Sequence, residues 1–268
     1  MQNKHSAAQP SAEAFLSEAV IQLLEDKAAF YNQKEFIKTD PILVPHQFSQ
    51  KQDIEIAAFL VATIAWGNRK SIVANGMRLM QLMDQQPGDF VMNFTDKDLA
   101  VFDGFVHRTF NNTDLLTFLY ALKNIYNNYG GMEKVFHQGT LQGGSLKEGI
   151  NHFRKVFFEV PHLVRSRKHV SHPAQGSAAK RINMFLRWMI RRDHQGVDFG
   201  LWKLFSPAQL FCPLDVHAAR VARKYSLLTR KQNDWKAVEE LTAVLRRLDP
   251  MDPVKYDFAL FGMGVFEK

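Results

Sequence analysis

The stretch "CPLDVHAARVARKY" (212–225) sets one carboxylate, Asp215, at the head of a basic run carrying His217, Arg220, Arg223 and Lys224. A carboxylate there has two uses. It can cap a helix, accepting from backbone N–H groups that have no intrahelical partner. It can also act as a catalytic acid beside a nucleic-acid backbone held by the basic residues. Other chemistries are poorly served. The chain has no His-Glu-x-x-His, no Walker loop, no Gly-x-Ser-x-Gly and no strand ahead of a glycine-rich turn. Its histidines lack zinc-ligand spacing. Its single cysteine, Cys212, allows neither an internal disulfide nor a Cys-rich cluster, so no metal and no cofactor is expected. "RRLDPMDPVKYD" holds Asp249, Asp252 and Asp257; a paired-carboxylate hydrolase is conceivable, but the proline pattern reads better as turns and caps.

The charge is uneven. From Lys147 to Arg192, eleven Lys and Arg stand against two Glu, a net of +9 where the whole chain carries +7. Arg165, Arg167, Lys168 and Arg181 belong to this segment. Clustered cations suit a sequence-tolerant contact with phosphates; a solvated, salt-bridged helix surface is the other reading. The expected partner is duplex DNA, with RNA also open.

The elements that must position these groups read as helical throughout. With 268 residues, 46% hydrophobic, the chain can bury the core of one large domain or two lobes. Residues 1–10 read as a loose tail. Apolar residues at 15, 16, 19, 20, 23 and 24 mark a helix face. Ser49 with Gln52, Thr95 with Asp98, and Ser145 with Glu148 have capping-box spacing. "NNTDLLTFLYALKNIYNNYGG" is a helix stopped by two glycines. Ser177 precedes "AAKRINMFLRWMIRR", and Asn233 and Asp252 are expected caps near the C-terminus. "GTLQGGS" (139–145) reads as a loop, and 160–176 as the loosest stretch. "IEIAAFLVATIAWG" (54–67) contains Glu55 and is too short to span a bilayer, so it reads as a buried helix. With no apolar signal segment at the start, the expectation is a cytoplasmic monomer without membrane contact.

The motif around Asp215 also carries a resemblance. Leu214, Asp215, Val216, His217, Arg220, Val221 and Arg223 or Lys224 resemble the segment Val-Asp-Thr-His-x-x-Arg-Val-x-x-Arg of helix-hairpin-helix DNA glycosylases, the endonuclease III superfamily. In that superfamily the aspartate opens a helix and is the catalytic carboxylate, so cap and catalyst can be one residue. "IEIAAFLVATIAWGNRKSIVANGMRLM" resembles the early buried helix, whose following polar turn enters the DNA; here that turn is Gly67-Asn68-Arg69. "VEELTAVLRRLDPMDPVKYDFALFGMGV" resembles the closing helices. As a whole, the chain resembles a functionally unassigned bacterial family within that fold, sharing "KR-N-FLRWM-R" and "LD-H" elements. The superfamily's Leu-Pro-Gly-Val-Gly-x-Lys hairpin corresponds to "HPAQGSAAKRINMFLRWM". Pro173 and Gly176 match, the double glycine does not, and Lys180 lies two residues late.

The resemblance implies an all-α, two-lobed fold with a central cleft. One lobe is expected over 48–192 and the other from 11–47 with 213–268, while 193–212 crosses between them. It implies base excision from DNA, with Asp215 and Lys180 as catalytic residues. Asn68, Arg69, Arg165, Arg167, Lys168, Arg181, His217 and Arg220 would meet the nucleic acid. A lysine at a helix start beside Arg181 feels positive charge, which favours the neutral, nucleophilic amine. Lys180 could then attack the sugar and support β-elimination, or simply contact a phosphate. Trp66 is the candidate base-pocket aromatic, while Trp188, on an apolar face with Phe185, reads as core. A protein that keeps the fold and binds nucleic acid without catalysis is the alternative.

Overall fold

Twelve α-helices form among the described residues, 16–267 of the computed structural model. The tail expected over 1–10 lies outside them. α1 (Glu18–Tyr31) and α2 (Lys34–Ile37) lead through 3-10 turns at Pro41–Leu43 and Pro45–Gln47 into α3 (Lys51–Ile64) and α4 (Arg69–Leu82). α5 (Pro87–Asn93), α6 (Asn112–Tyr129), α7 (Met132–Gly143) and α8 (Leu146–Phe157) follow. Beyond an irregular stretch come α9 (Lys180–Ile190), α10 (Val216–Lys224), α11 (Trp235–Leu248) and α12 (Tyr256–Phe266). The class is all-α. The only sheet among the described residues is a hairpin of β1 (Val106–His107) and β2 (Phe110–Asn111), too short to show an alternating pattern. No helix among them is long and apolar enough to cross a membrane.

Two packed sets of helices frame the site. α3 is buried from Ile54 to Ile64 and α9 from Ile182 to Ile190. They pack on each other, with Phe59 edge-on to Phe185 at 5.4 Å. α12 packs on α1 and on α10. The second contact needs a glycine: a Cβ at Gly264 would stand 2.9 Å from the backbone of His217. Glu55, buried in α3, accepts from Tyr126 Oη at 2.7 Å and Trp202 Nε1 at 2.6 Å, which fastens the irregular 193–212 segment to α3 and α6.

Several helix starts differ from the sequence reading. The Ser49–Gln52 box is not formed: α3 begins after Gln50, which makes no side-chain cap bond, and Asp53 accepts from Gly88 N–H instead. Ser145 stands at the N-cap of α8 without a cap bond, and Glu148 accepts from Asn151. Asp234, not Asn233, caps α11, because Asn233 accepts from Arg223. α9 follows Ser177 as expected, with Ala179 at its N-cap position and no side-chain cap bond. α7 continues through Gly143 to end on left-handed Gly144, so "GTLQGGS" is mostly helix. The stretch 160–176 contains two 3-10 turns and buries Ser166 and His169. The Thr95–Asp98 box is made, on a 3-10 helix, and α6 is capped by Asn111 and stopped at Gly130.

Candidate active site

Asp215 is the N-cap of α10, and its two oxygens have separate partners. Oδ1 accepts from the N–H groups of His217 and Ala218, both at 2.9 Å. Oδ2 lies 3.9 Å from Lys180 Nζ. Lys180 is the first residue of α9. The chain enters that helix through Ala179, whose φ of +49° is uncommon for a residue with a side chain. The Lys180 amine also lies 3.6 Å from Met184 Sδ and 5.9 Å from the centre of the Phe261 ring. Residues separated by 35 positions thus meet because two helix starts face each other.

Both side chains line a cavity of about 800 Å³. α9 supplies one wall with Lys180, Arg181, Met184, Arg187 and Trp188, the spacing of a single helical face. Asp40, the Gly67–Arg69 turn, Asp257 and Phe261 contribute to the remainder.

The expected site residues divide into three groups. Trp66, Asn68, Arg69, Arg181 and His217 line the cavity with the central pair. Asn68 caps α4, accepting from Ser71 N–H at 3.2 Å, and Arg69 lies 5.3 Å from both the Phe261 and Phe266 rings. Arg181 donates to the carbonyl of Thr63 and covers the Trp66 ring at 4.8 Å. Burial pushes the Arg181 guanidinium down to about 10, still charged at neutral pH. The hairpin steadies the same turn: His107 Nε2 is 3.2 Å from the Trp66 carbonyl, and Arg108 packs against Gly67.

Arg220 forms the second group. It donates to the Gly264 carbonyl at 2.8 Å and so anchors α12. Arg165, Arg167 and Lys168 form the third group, outside the cavity. Arg165 is committed to Thr109 O at 3.0 Å, Asn111 Oδ1 at 2.8 Å and buried Asp114 at 3.2 Å. Arg167 and Lys168, with Arg154, line a shallow groove of about 760 Å³. Arg181 borders both groove and cavity. The basic segment is therefore divided, since Arg187 and Arg191 are buried in ion pairs and do not face solvent.

Sequence reasoning passed over the inner wall. Arg187 binds Asp257 Oδ2 and, at 3.2 Å, Asp198; Arg191 binds Asp198 at 3.1 Å, Asp193 at 2.6 Å and Asp252 at 3.0 Å. Burial works against the Arg187 charge, yet Asp198 and Asp257 raise its pKa. Burial pushes the Asp257 carboxyl up to about 6 against the pull of Arg187, and also raises that of Asp40. Asp257 is thus neither a turn nor a cap residue. Asp249 does hold a turn, accepting from Met251 and Asp252 N–H, while Asp252 pairs with Arg191. The available signal was the face of α9: an arginine seven residues after Lys180 on an apolar helix needs buried acids.

Residues 40–266 match the family model described as "Protein of unknown function (DUF2400)", and the chain belongs to that family. No curated protein and no solved structure matches it.

Proposed function

We propose that this protein is a DNA glycosylase that excises a base turned out of the duplex, with Lys180 and Asp215 as its catalytic pair. The observation that carries the reading is the division of Asp215: one oxygen caps α10 while the other faces the Lys180 amine at the edge of a cavity with ample room for a nucleotide. The two-lobed arrangement belongs to the same reading: α9, which packs on α3, and α12, which packs on α1 and α10, both contribute residues to the cavity.

The chemistry follows from charge. As the C1′–N bond breaks, its electron pair leaves with the base and positive charge develops on the sugar. The Asp215 carboxylate stabilises that charge. Lys180 gives a proton toward the departing base and, as the neutral amine, adds to C1′. Opening of the sugar ring then leaves a Schiff base, from which loss of a C2′ proton expels the 3′ phosphate. Arg167 and Lys168 hold the flanking backbone, and the Gly67–Arg69 turn enters beside the flipped nucleotide.

The test is excision over a panel of lesion-bearing duplexes, with borohydride trapping, for the wild type, Lys180→Gln and Asp215→Asn. Excision with a trapped adduct that Lys180→Gln abolishes is the expected result. Excision without trapping would make water the nucleophile. Salt-sensitive DNA binding with no excision on any duplex would leave a non-catalytic nucleic-acid-binding protein, and tighter binding to RNA would redirect the substrate.

A further inference from the structure

A line of rings and cations leads from the cavity to the surface. The Lys180 amine stands 5.9 Å from the centre of the Phe261 ring, and Arg69 lies 5.3 Å from both the Phe261 and Phe266 rings. Phe266 stacks on Tyr31 at 5.7 Å, and Tyr31 meets Phe30 edge-on at 5.0 Å. Lys180, Phe261 and Arg69 line the cavity, whereas Phe266 and Phe30 are 50% and 66% exposed. The line therefore begins at the proposed catalytic lysine and ends in solvent.

Two features set this line apart from core packing. Its outer end is held in place. Tyr31 lies on Gly262, where a Cβ would stand 2.1 Å from the ring, and its hydroxyl donates to Glu267 at 2.7 Å. The other feature is Arg69. Among the described residues its guanidinium makes no hydrogen bond and no ion pair, and its close contacts are the two rings. Asp40, buried in the cavity wall, feels its charge but forms no ion pair with it. Arg69 also opens α4, whose N-terminal dipole adds positive charge there. Lys27, over the Phe30 ring at 5.9 Å, is matched by Glu267 at 2.7 Å, and Lys180 by Asp215. The unmatched cation in the line is Arg69.

Exposed rings joined to a cation with free N–H donors suit a single strand. Its bases stack on aromatic side chains whatever their identity, and its phosphates take the cation. A duplex keeps its bases stacked on one another, so it offers such rings no base face. An apolar peptide would cover the rings and leave the guanidinium unpaired.

We infer that the Phe266–Tyr31–Phe30 face receives single-stranded nucleic acid running out of the cavity, with Arg69 on a phosphate at the exit. The preferred substrate is then a junction of duplex and single strand, not a blunt duplex. The inference rests on the cavity receiving the target nucleotide of the proposed function.

The experiment measures binding of the full chain to one duplex, blunt or extended by a 5′ or a 3′ single-stranded tail of about four nucleotides, the lower end of single-strand site sizes. One of the tails should tighten binding by about tenfold, the worth of one stacked base. Phe30→Leu with Phe266→Leu keeps apolar bulk and removes the rings. It should abolish the gain and leave blunt-duplex affinity unchanged, which also shows that the variant is folded. Arg69→Gln should lower the salt slope on the tailed substrate by about one unit. Equal affinity for tailed and blunt duplexes, or a gain that survives the loss of both rings, would overturn the inference. A ring-dependent gain without excision from any substrate would sink the glycosylase reading and leave this one standing. Excision from blunt and tailed duplexes alike, with no gain from either tail, would do the reverse.

Discussion

Replacing Asp215 with Asn separates the two functions of one side chain. The cap rests on Oδ1, which accepts two N–H groups at 2.9 Å. An amide oxygen accepts both, and Asn caps about as well as Asp, so the cap contribution should change by less than about 1 kcal/mol. The ion pair with Lys180 is lost as well. At 3.9 Å, with side chains 26% and 21% exposed, it is partly screened and contributes at most about 1 kcal/mol. Excision is a different matter, because a neutral amide gives little stabilisation to a cationic sugar. Removing one such electrostatic stabiliser typically lowers rates by about 10²- to 10³-fold, or about 2.7 to 4 kcal/mol. Asp215→Ala is the control; it deletes the cap and should cost about 1 to 2 kcal/mol of stability. Urea unfolding and single-turnover excision on the same preparations give both quantities. A folded Asp215→Asn protein with full excision refutes the catalytic role. An Asn variant as destabilised as the Ala variant refutes the assignment of the cap to Oδ1.

Arg187→Met should lower stability by about 3 to 5 kcal/mol, since it leaves Asp198 and Asp257 buried without their shared cation; adding Asp257→Asn should restore part of the loss in urea unfolding. Binding to duplex DNA should weaken steeply with salt, and Arg167→Gln with Lys168→Gln should flatten the log–log slope by about one unit per residue. An unchanged slope would place the DNA elsewhere, while Arg165→Gln should chiefly reduce stability through Asp114. Burial pushes His169 down to about 4, so between its unfolded value of 6.5 and that point the unfolded chain binds more protons. The stability advantage of wild type over His169→Gln should therefore be full above pH 6.5 and shrink by up to about 3 kcal/mol as pH falls to 4. The opposite trend from Asp257, whose raised value favours the folded state as pH falls from about 6, is common to both proteins and cancels in the difference.

Local chemistry made some of the fold legible. Asn111 and Gly130 bound α6 as their residue types suggest, because a side-chain acceptor and a left-handed glycine act within a few residues. Competition between neighbouring polar groups was not legible. Asp234 captures the α11 cap because Arg223 occupies Asn233, and Arg223 arrives from another helix. The site shows the same split. Asp215 stood out through its position before a basic helix, and Lys180 through a motif. Asp40, Arg187 and Asp257 did not, since nothing local tells a cap or turn carboxylate from one pulled inward by a buried arginine. The Asn68–Ser71 cap was hidden in the polar turn, and the hairpin that supports it has strands of two residues, below the length at which alternation can be recognised.

The packing of α12 on α1 sets an order of events in folding. Tyr31 Oη donates to Glu267 at 2.7 Å across 236 positions of sequence, and the cavity draws its walls from as far apart as Phe36 and Val265. Such closures are made slowly, because chain entropy is lost before the contacts that reward it are formed. The shallow basic groove lies entirely within residues 154–181 and requires no such closure. In refolding from urea, helical signal and salt-sensitive anion binding should return first, and the Trp188 environment only when α12 docks. A fragment holding α9 and α10 would contain both Lys180 and Asp215 and still lack the wall formed by α12, so function here is a late product of folding.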